Sequence, residues 1–196
     1  MICGQLISCT LIAYGFARFR FRGREFLFLL MLATMLIPEQ VTMIPAFLMF
    51  SKLEWIDTYL PLIVPTFFGN AFYIFLMRQY MLSIPVELDE AAKIDGANAF
   101  QILWKVLVPL LRPPMTIIFV LTFTSVYNDF MGPLIYLNSP EKFTLAVGLA
   151  NFVSSKGSDW HLLMAASTVV LLPLLAIYYF AQKHLIGGIA NMGLKG

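Results

Sequence analysis

The sequence predicts an all-α fold, a polytopic transmembrane helical bundle with about five spans and one helix-turn-helix exposed at a membrane face. Three observations predict it. Hydrophobic residues make up 60% of the 196-residue chain and charged ones only 12%. Soluble domains carry about a quarter charged residues, so this much apolar surface cannot be hidden in a water-soluble core of such a size. The apolar residues gather into five runs, 1–17, 26–50, 61–80, 113–137 and 161–181, of a length suited to crossing a bilayer. One polar, amphipathic stretch, 82–112, stands apart from them. The chain 1–196 reads as a single transmembrane domain without an internal repeat.

The first run, 1–17, is at the short limit for a span and meets Arg18-Phe-Arg-Phe-Arg-Gly-Arg24 at its end. A signal peptide carries its positive charges ahead of the apolar run, so this is not one. It has no polar lead, and the expectation is a chain that begins inside a helix with an upstream portion missing. The second run, 26–50, is interrupted by Pro38-Glu39-Gln40 and Pro45. An outward loop, 51–60, comes next with Lys52, Glu54 and Asp57. The third run closes on Arg78. Between the fourth and fifth lies a polar segment, 138–160, with Lys142, Lys156 and Asp159, and a Gly-rich tail begins at Gln182.

Basic residues give the orientation. With Arg18, Arg20, Arg22 and Arg24 inside, the inner side also takes Arg78, Lys93, Lys105, Arg112, Lys183 and Lys195, which is ten of the thirteen. Lys52, Lys142 and Lys156 fall outside. Segment 82–112 and the C-terminus are therefore expected in the cytoplasm.

A net charge of +2 does not imply nucleic acid. Cys3 and Cys9 sit in an apolar run and read as small buried hydrophobes, not as a disulfide or a metal site. His161 and His184 have no ligand-spaced partner. Neither GxGxxG nor GxxxxGK[ST] occurs, so the chain has no phosphate cradle of its own. No catalytic residue and no metal site are expected.

Segment 82–112 has helix punctuation. Ser83 and Pro85 are helix-start residues, and Glu87, Asp89 and Glu90 put negative charge where a helix N-terminus favours it. Ala91-Ala92-Lys93 continue the helix, and Asp95-Gly96 reads as the turn that stops it. A second helix fits Asn98 to Leu107, with Phe100, Leu103 and Leu107 on one stripe and Pro109 as its close. An ordinary loop between two spans would account for this pattern; the sharper reading is a preformed helix offered to a soluble partner.

Glu90-Ala91-Ala92, Gly96 after three residues, and Val106-Leu107-Val108-Pro109 after nine more resemble the EAA loop of the membrane subunits of ABC importers. The family prefers Ile and Leu where Val106 and Val108 stand, and both changes keep an apolar side chain. The likeness runs on through Ala13-Tyr-Gly-Phe-Ala-Arg-Phe19, Ile37-Pro-Glu-Gln-Val41 with Ile44-Pro45, Tyr127-Asn-Asp-Phe130 with Pro133-Leu134, Thr144-Leu-Ala-Val-Gly-Leu149 and Lys195-Gly196. These are similar to the binding-protein-dependent permeases of the carbohydrate-uptake, maltose and multiple-sugar type. The tail departs most, with Ala190-Asn-Met192 where relatives have Thr and Gly.

The resemblance implies a permease subunit, not an enzyme, moving a sugar or related polyol by alternating access. Glu87, Glu90, Ala91, Ala92, Asp95, Gly96, Phe100 and Pro109 would form the coupling loop that seats on an ATP-binding subunit. No cofactor is implied on this chain; ATP and Mg belong to the partner ATPase. The implied partners are two ATP-binding subunits, a second and non-identical permease, and a periplasmic or lipid-anchored substrate-binding protein. The implied location is the bacterial cytoplasmic membrane. Relatives with this loop have one more span ahead of the equivalent of Met1.

Polar groups within the apolar runs are the remaining candidates. An ionised acid at bilayer depth costs about 3 kcal/mol, so such a residue faces water or a partner. Glu39 and Asp129, and at lower cost Gln40, Asn70 and Asn128, belong to this class. One reading has the acids pin helices together. The other has Asn128, Asp129, Tyr127, Glu39 and Gln40 line the substrate path, with the rings of Phe119 and Phe123 alongside. Rival functions are a proton-coupled secondary transporter using Glu39 or Asp129, and a membrane scaffold subunit.

Overall fold

Seventeen residues without a proline form helix α1, Ile2–Arg18, and the chain leaves it in extended backbone at Phe19. The computed structural model describes residues 1–150, 152–154, 157–158 and 160–193, with side chains for 1–150, 152 and 160–182. Lys156, Asp159 and the Lys195-Gly196 pair lie outside the described residues. Gly23, with φ +83°, turns the chain into α2, Arg24–Ala33, which tightens into a 3-10 turn over Thr34–Leu36.

Pro38 then sets a corner. It lacks an amide hydrogen and forces Ile37 out of the helical region (φ −84°, ψ 115°). The next helix, α3, Glu39–Lys52, leaves at 95° to α2 and its extension. The run 26–50, expected as one interrupted span, is thus two helices nearly at right angles. Pro45, the second expected break, is absorbed inside α3.

Helix α4, Leu60–Ile63, and a 3-10 turn, Val64–Phe68, lead to Gly69 at φ +86° and to α5, Ala71–Ser83. Asn70 caps α5, its Oδ1 accepting from the amides of Phe72 (3.0 Å) and Tyr73 (3.3 Å). This places Asn70 as a helix cap, not as a lining residue. Helix α6, Glu87–Ile94, and α7, Ala99–Gln101, come next. A π-helical stretch, Ile102–Leu107, continues α7 into α8, Val108–Leu110. After a 77° bend comes α9, Arg112–Tyr127.

The fourth run, expected as one span over 113–137, stops at Tyr127 and resumes as a separate α10, Met131–Tyr136. Segment 138–160 holds a 3-10 turn, Pro140–Lys142, helix α11, Leu145–Ala150, and a two-residue antiparallel ladder of Val153–Ser154 on Gly157–Ser158. Helix α12, Trp160–Gly193, runs well past the expected fifth span and takes in 182–193 of the segment expected as a Gly-rich tail. The fold is all-α apart from the short ladder. Leu60–Ser83 and Trp160–Gln182 are long and apolar enough to cross a membrane, as are the two bent pairs if each counts as one span.

The core sits where α1, α5 and the stretch 102–111 meet the start of α9. Cys9 and Ala13 from α1, Met77 and Met81 from α5, and Ile102, Leu103, Leu107, Leu111 and Ile118 close it. Cys3, expected to be buried like Cys9, is exposed, and both thiols are free. The 82–112 hairpin is thereby fastened to α1 and α5 by its second arm, and its first arm stands at the surface.

Candidate functional site

The hairpin begins differently from its sequence reading. Ser83 does not start α6; it is the last residue of α5, and its hydroxyl donates to the Tyr80 carbonyl at 2.8 Å. Glu87, Asp89 and Glu90 do occupy the first turn of α6. The turn after it depends on Gly96, whose φ of +83° L-residues avoid at a cost of roughly 1 kcal/mol or more. An added Cβ there would meet nothing within 4 Å, so backbone strain alone resists it inside this chain. Asn98 opens α7 with a reciprocal cap: its Oδ1 accepts from the Gln101 amide and Gln101 Oε1 from the Asn98 amide, each at 2.9 Å.

Phe100 does not share the buried stripe expected for it. It is 65% exposed, whereas Leu103 and Leu107 are fully buried and Ile102 joins them. The reason is the π stretch, which inserts an extra residue and rotates the helix before it by about 100° against the helix after it. Pro109 explains the stretch. Its missing amide and its ring conflict with the α-helical bond one turn back, and the wider turn accommodates both. Pro109 therefore sits inside α8 and does not close the second helix. Around the turn, Glu87, Glu90, Ala91, Lys93 and Asp95 lie at the surface, with the apolar side chains of Val86, Leu88, Phe100 and Ile94, the last 87% exposed.

Three groups of polar contacts missed by the sequence reading tie together segments far apart in the chain, the first of them at the hairpin. Asp89 is buried (4% exposed), with Oδ2 2.6 Å from Nε of Arg18 at the end of α1. Among the described residues no donor reaches its Oδ1. Arg18 Nη2 donates to the Ile84 carbonyl at 3.0 Å, and Tyr14 Oη to the Ala99 carbonyl at 3.2 Å. Removing one partner of such a buried pair costs about 3–5 kcal/mol. Arg78, expected as the charge ending the third run, is buried over the Phe28 ring (4.1 Å). It pairs with Glu25 at 3.1 Å and donates from Nε to the Phe16 carbonyl at 3.3 Å.

The third group is on Asp57, which joins the loops after α3 and α10. Its Oδ1 accepts from the amides of Asn138 and Ser139, both at 2.9 Å. Its Oδ2 accepts from Ser139 Oγ at 2.6 Å and Lys142 Nζ at 2.8 Å. Lys142 foremost, then the Ser139 bonds, hold the Asp57 carboxyl well below the usual carboxylate range.

A cavity of about 410 Å3, within the range that holds small molecules, lies between α3, α4 and α10. It brings together Glu39, Gln40 and Asp129 with Phe50, Pro61 and Tyr136. Glu39 and Gln40 are there because Pro38 starts a new helix, whose N-terminal dipole favours the carboxylate. Asp129 is held by the Gly132 amide, which donates to Oδ1 at 3.1 Å. An added Cβ at Gly132 would lie 2.7 Å from Asp129 Oδ2 and 3.2 Å from Leu62, so a larger residue there would push one of these side chains aside.

The structure separates Tyr127 and Asn128 from this group. Tyr127 Oη donates to the Val170 carbonyl of α12 at 2.8 Å, and Asn128 Nδ2 to the Thr124 carbonyl at 2.8 Å. Phe119, Phe123 and Tyr127 form a stacked ladder along α9, with centroids 6.5 and 5.2 Å apart. Among the described residues no three His, Cys, Asp or Glu side chains converge as a metal centre would need.

Residues 9–190 match the family model described as "Binding-protein-dependent transport system inner membrane component". The chain is 34% identical to the arabinooligosaccharides transport system permease protein AraQ of Halalkalibacterium halodurans, over 98% of this chain and 68% of that one. It is likewise 34% identical to the galactooligosaccharides transport system permease protein GanQ of Bacillus subtilis, over 100% and 70%. Its fold superimposes with a TM-score of 0.82 and 31% identity on a chain from the crystal structure of a bacterial ABC transporter involved in the import of the acidic polysaccharide alginate. That match covers 92% of this chain and 69% of the other.

Proposed function

The chain belongs to the family of inner-membrane components of binding-protein-dependent transport systems, and on that premise we propose how this permease subunit of an ABC importer is driven and what it carries. The α6–α7 hairpin is the coupling loop, seated on a separate ATP-binding subunit that hydrolyses ATP with Mg. Two such subunits, a second and different permease and a substrate-binding protein complete the transporter. The hairpin and the C-terminus face the cytoplasm of a bacterial cell. The observation that carries this reading is the exposure of Val86, Leu88, Ile94 and Phe100 around a turn that depends on a positive-φ glycine. Exposed apolar side chains rimmed by charge, on a hairpin whose other arm is in the core, suit a protein interface.

The cargo is a sugar or related polyol. The relatives' names support that class, and so does the chemistry of the cavity: two carboxylates and an amide accept hydrogen bonds from hydroxyls, and the apolar wall beside them suits a sugar's C–H face. Glu39, Gln40 and Asp129 form this part of the path; Asn128 and Tyr127 support the helix that ends at it.

Gly96→Arg tests the coupling. The variant is expected in the membrane but without its ATPase and without uptake. A variant that transports and retains its ATPase refutes the docking role.

A further inference from the structure

We infer that α1 is the rod linking the coupling hairpin to the cavity wall, with the Arg18–Asp89 ion pair as the pin at its driven end. The inference rests on the coupling reading above. Asp89 is the one buried residue of α6, with Ala92 partly buried beside it, and its partner Arg18 is the last residue of α1. Arg18 also holds the α5–α6 junction through Ile84, and Tyr14, one turn back, holds the start of α7 through Ala99. One helix end thus grips both arms of the hairpin.

From there α1 runs about 25 Å without a break. Its other end is in close contact with the 64–68 turn. An added Cβ at Gly4 would stand 2.6 Å from Thr66 Oγ1, and Ser8 Oγ donates to the Thr66 carbonyl at 3.3 Å. Met1, Pro61, Leu62 and Pro65 there line the cavity. The covalent routes from the hairpin are interrupted: Gly69 breaks the path ahead of α5, and α8 meets α9 at 77°. Close-packed contacts move between discrete arrangements and do not stretch, so a shift of α6 reaches the cavity through α1. Arg18 and Asp89 are positioning residues in this scheme.

The test uses the complete transporter in proteoliposomes, with Met43→Cys as a reporter in the cavity and Cys3→Ser removing the exposed thiol. Maleimide labelling of that cysteine is timed without nucleotide and after trapping with ATP and vanadate. The parent is expected to change rate about fivefold or more between the two states, and Asp89→Asn by less than about twofold while its ATPase still co-purifies and hydrolyses ATP. Glu25→Gln, which breaks the Arg78 pair, keeps the parent's response. A parent-like response in Asp89→Asn, or an equal loss in Glu25→Gln, overturns the rod. Should Asp89→Asn fail to assemble, Tyr14→Phe decides: a reduced response supports the inference and an unchanged one overturns it. A parent that neither responds nor binds an ATPase overturns the coupling reading itself.

Discussion

Asp57 shows how one side chain can organise two distant loops. It adopts φ +59°, a region Asn tolerates, so Asp57→Asn removes the charge without changing the backbone demand. Its carboxyl titrates lower in the folded protein than in the unfolded chain, so its contribution to stability is complete above the usual carboxylate pKa of about 4. The contribution is lost as pH falls below that value. Hydrogen exchange of amides 138–139 is the measurement. Protection is expected to be flat from neutral pH down to about 5 and to fall on further acidification; in Asp57→Asn the fall on acidification disappears, because the side chain no longer titrates. At the cavity, Gly132→Ala forces Asp129 or Leu62 to move, a type of overpacking that costs about 1–3 kcal/mol, read as a lower melting temperature in detergent. The candidates Glu39 and Asp129 were visible in the sequence because an acid in an apolar run has few reasons to be there. The roles of Asp57, Asp89 and Glu25 were not, because each depends on a partner at least fifty residues away.

Among the elements, the coupling hairpin was the most legible. Its acidic first turn, Gly96 stop and Asn98 start are local signals, and local backbone chemistry decides them. The second arm was read to the right place but in the wrong register, since a π turn leaves no mark in residue spacing until Pro109 is recognised as its cause. Asn98→Ala tests the local part. Losing the reciprocal cap is expected to cost about 1 kcal/mol, seen as a modest fall in thermal stability with assembly preserved. The break at Pro38 was legible as a break; its 95° angle was not, because the direction of a restarted helix is set by what it packs on. Phe47 and Phe50 of α3 lie against Tyr136 of α10, a contact across the fold that no nearby residue announces.

For the whole molecule, hydropathy gave the class and the approximate places of the apolar helices, and basic residues gave an orientation that can be measured directly. Ile94→Cys and Tyr59→Cys, each in a Cys3→Ser background, should label with an impermeant maleimide from the cytoplasmic and the external side respectively. The reverse pattern removes the coupling reading along with the orientation. Membership in the permease family sets aside the secondary-transporter and scaffold readings, which the sequence pattern by itself left open. The length of α12 has its own consequence. Its apolar section, Trp160–Gln182, already fills a hydrocarbon layer of roughly 30 Å, yet the helix continues to Gly193. Its 34 residues rise about 51 Å in all, more than that layer is thick, so a crossing by this helix requires it to tilt or to reach past one face of the layer.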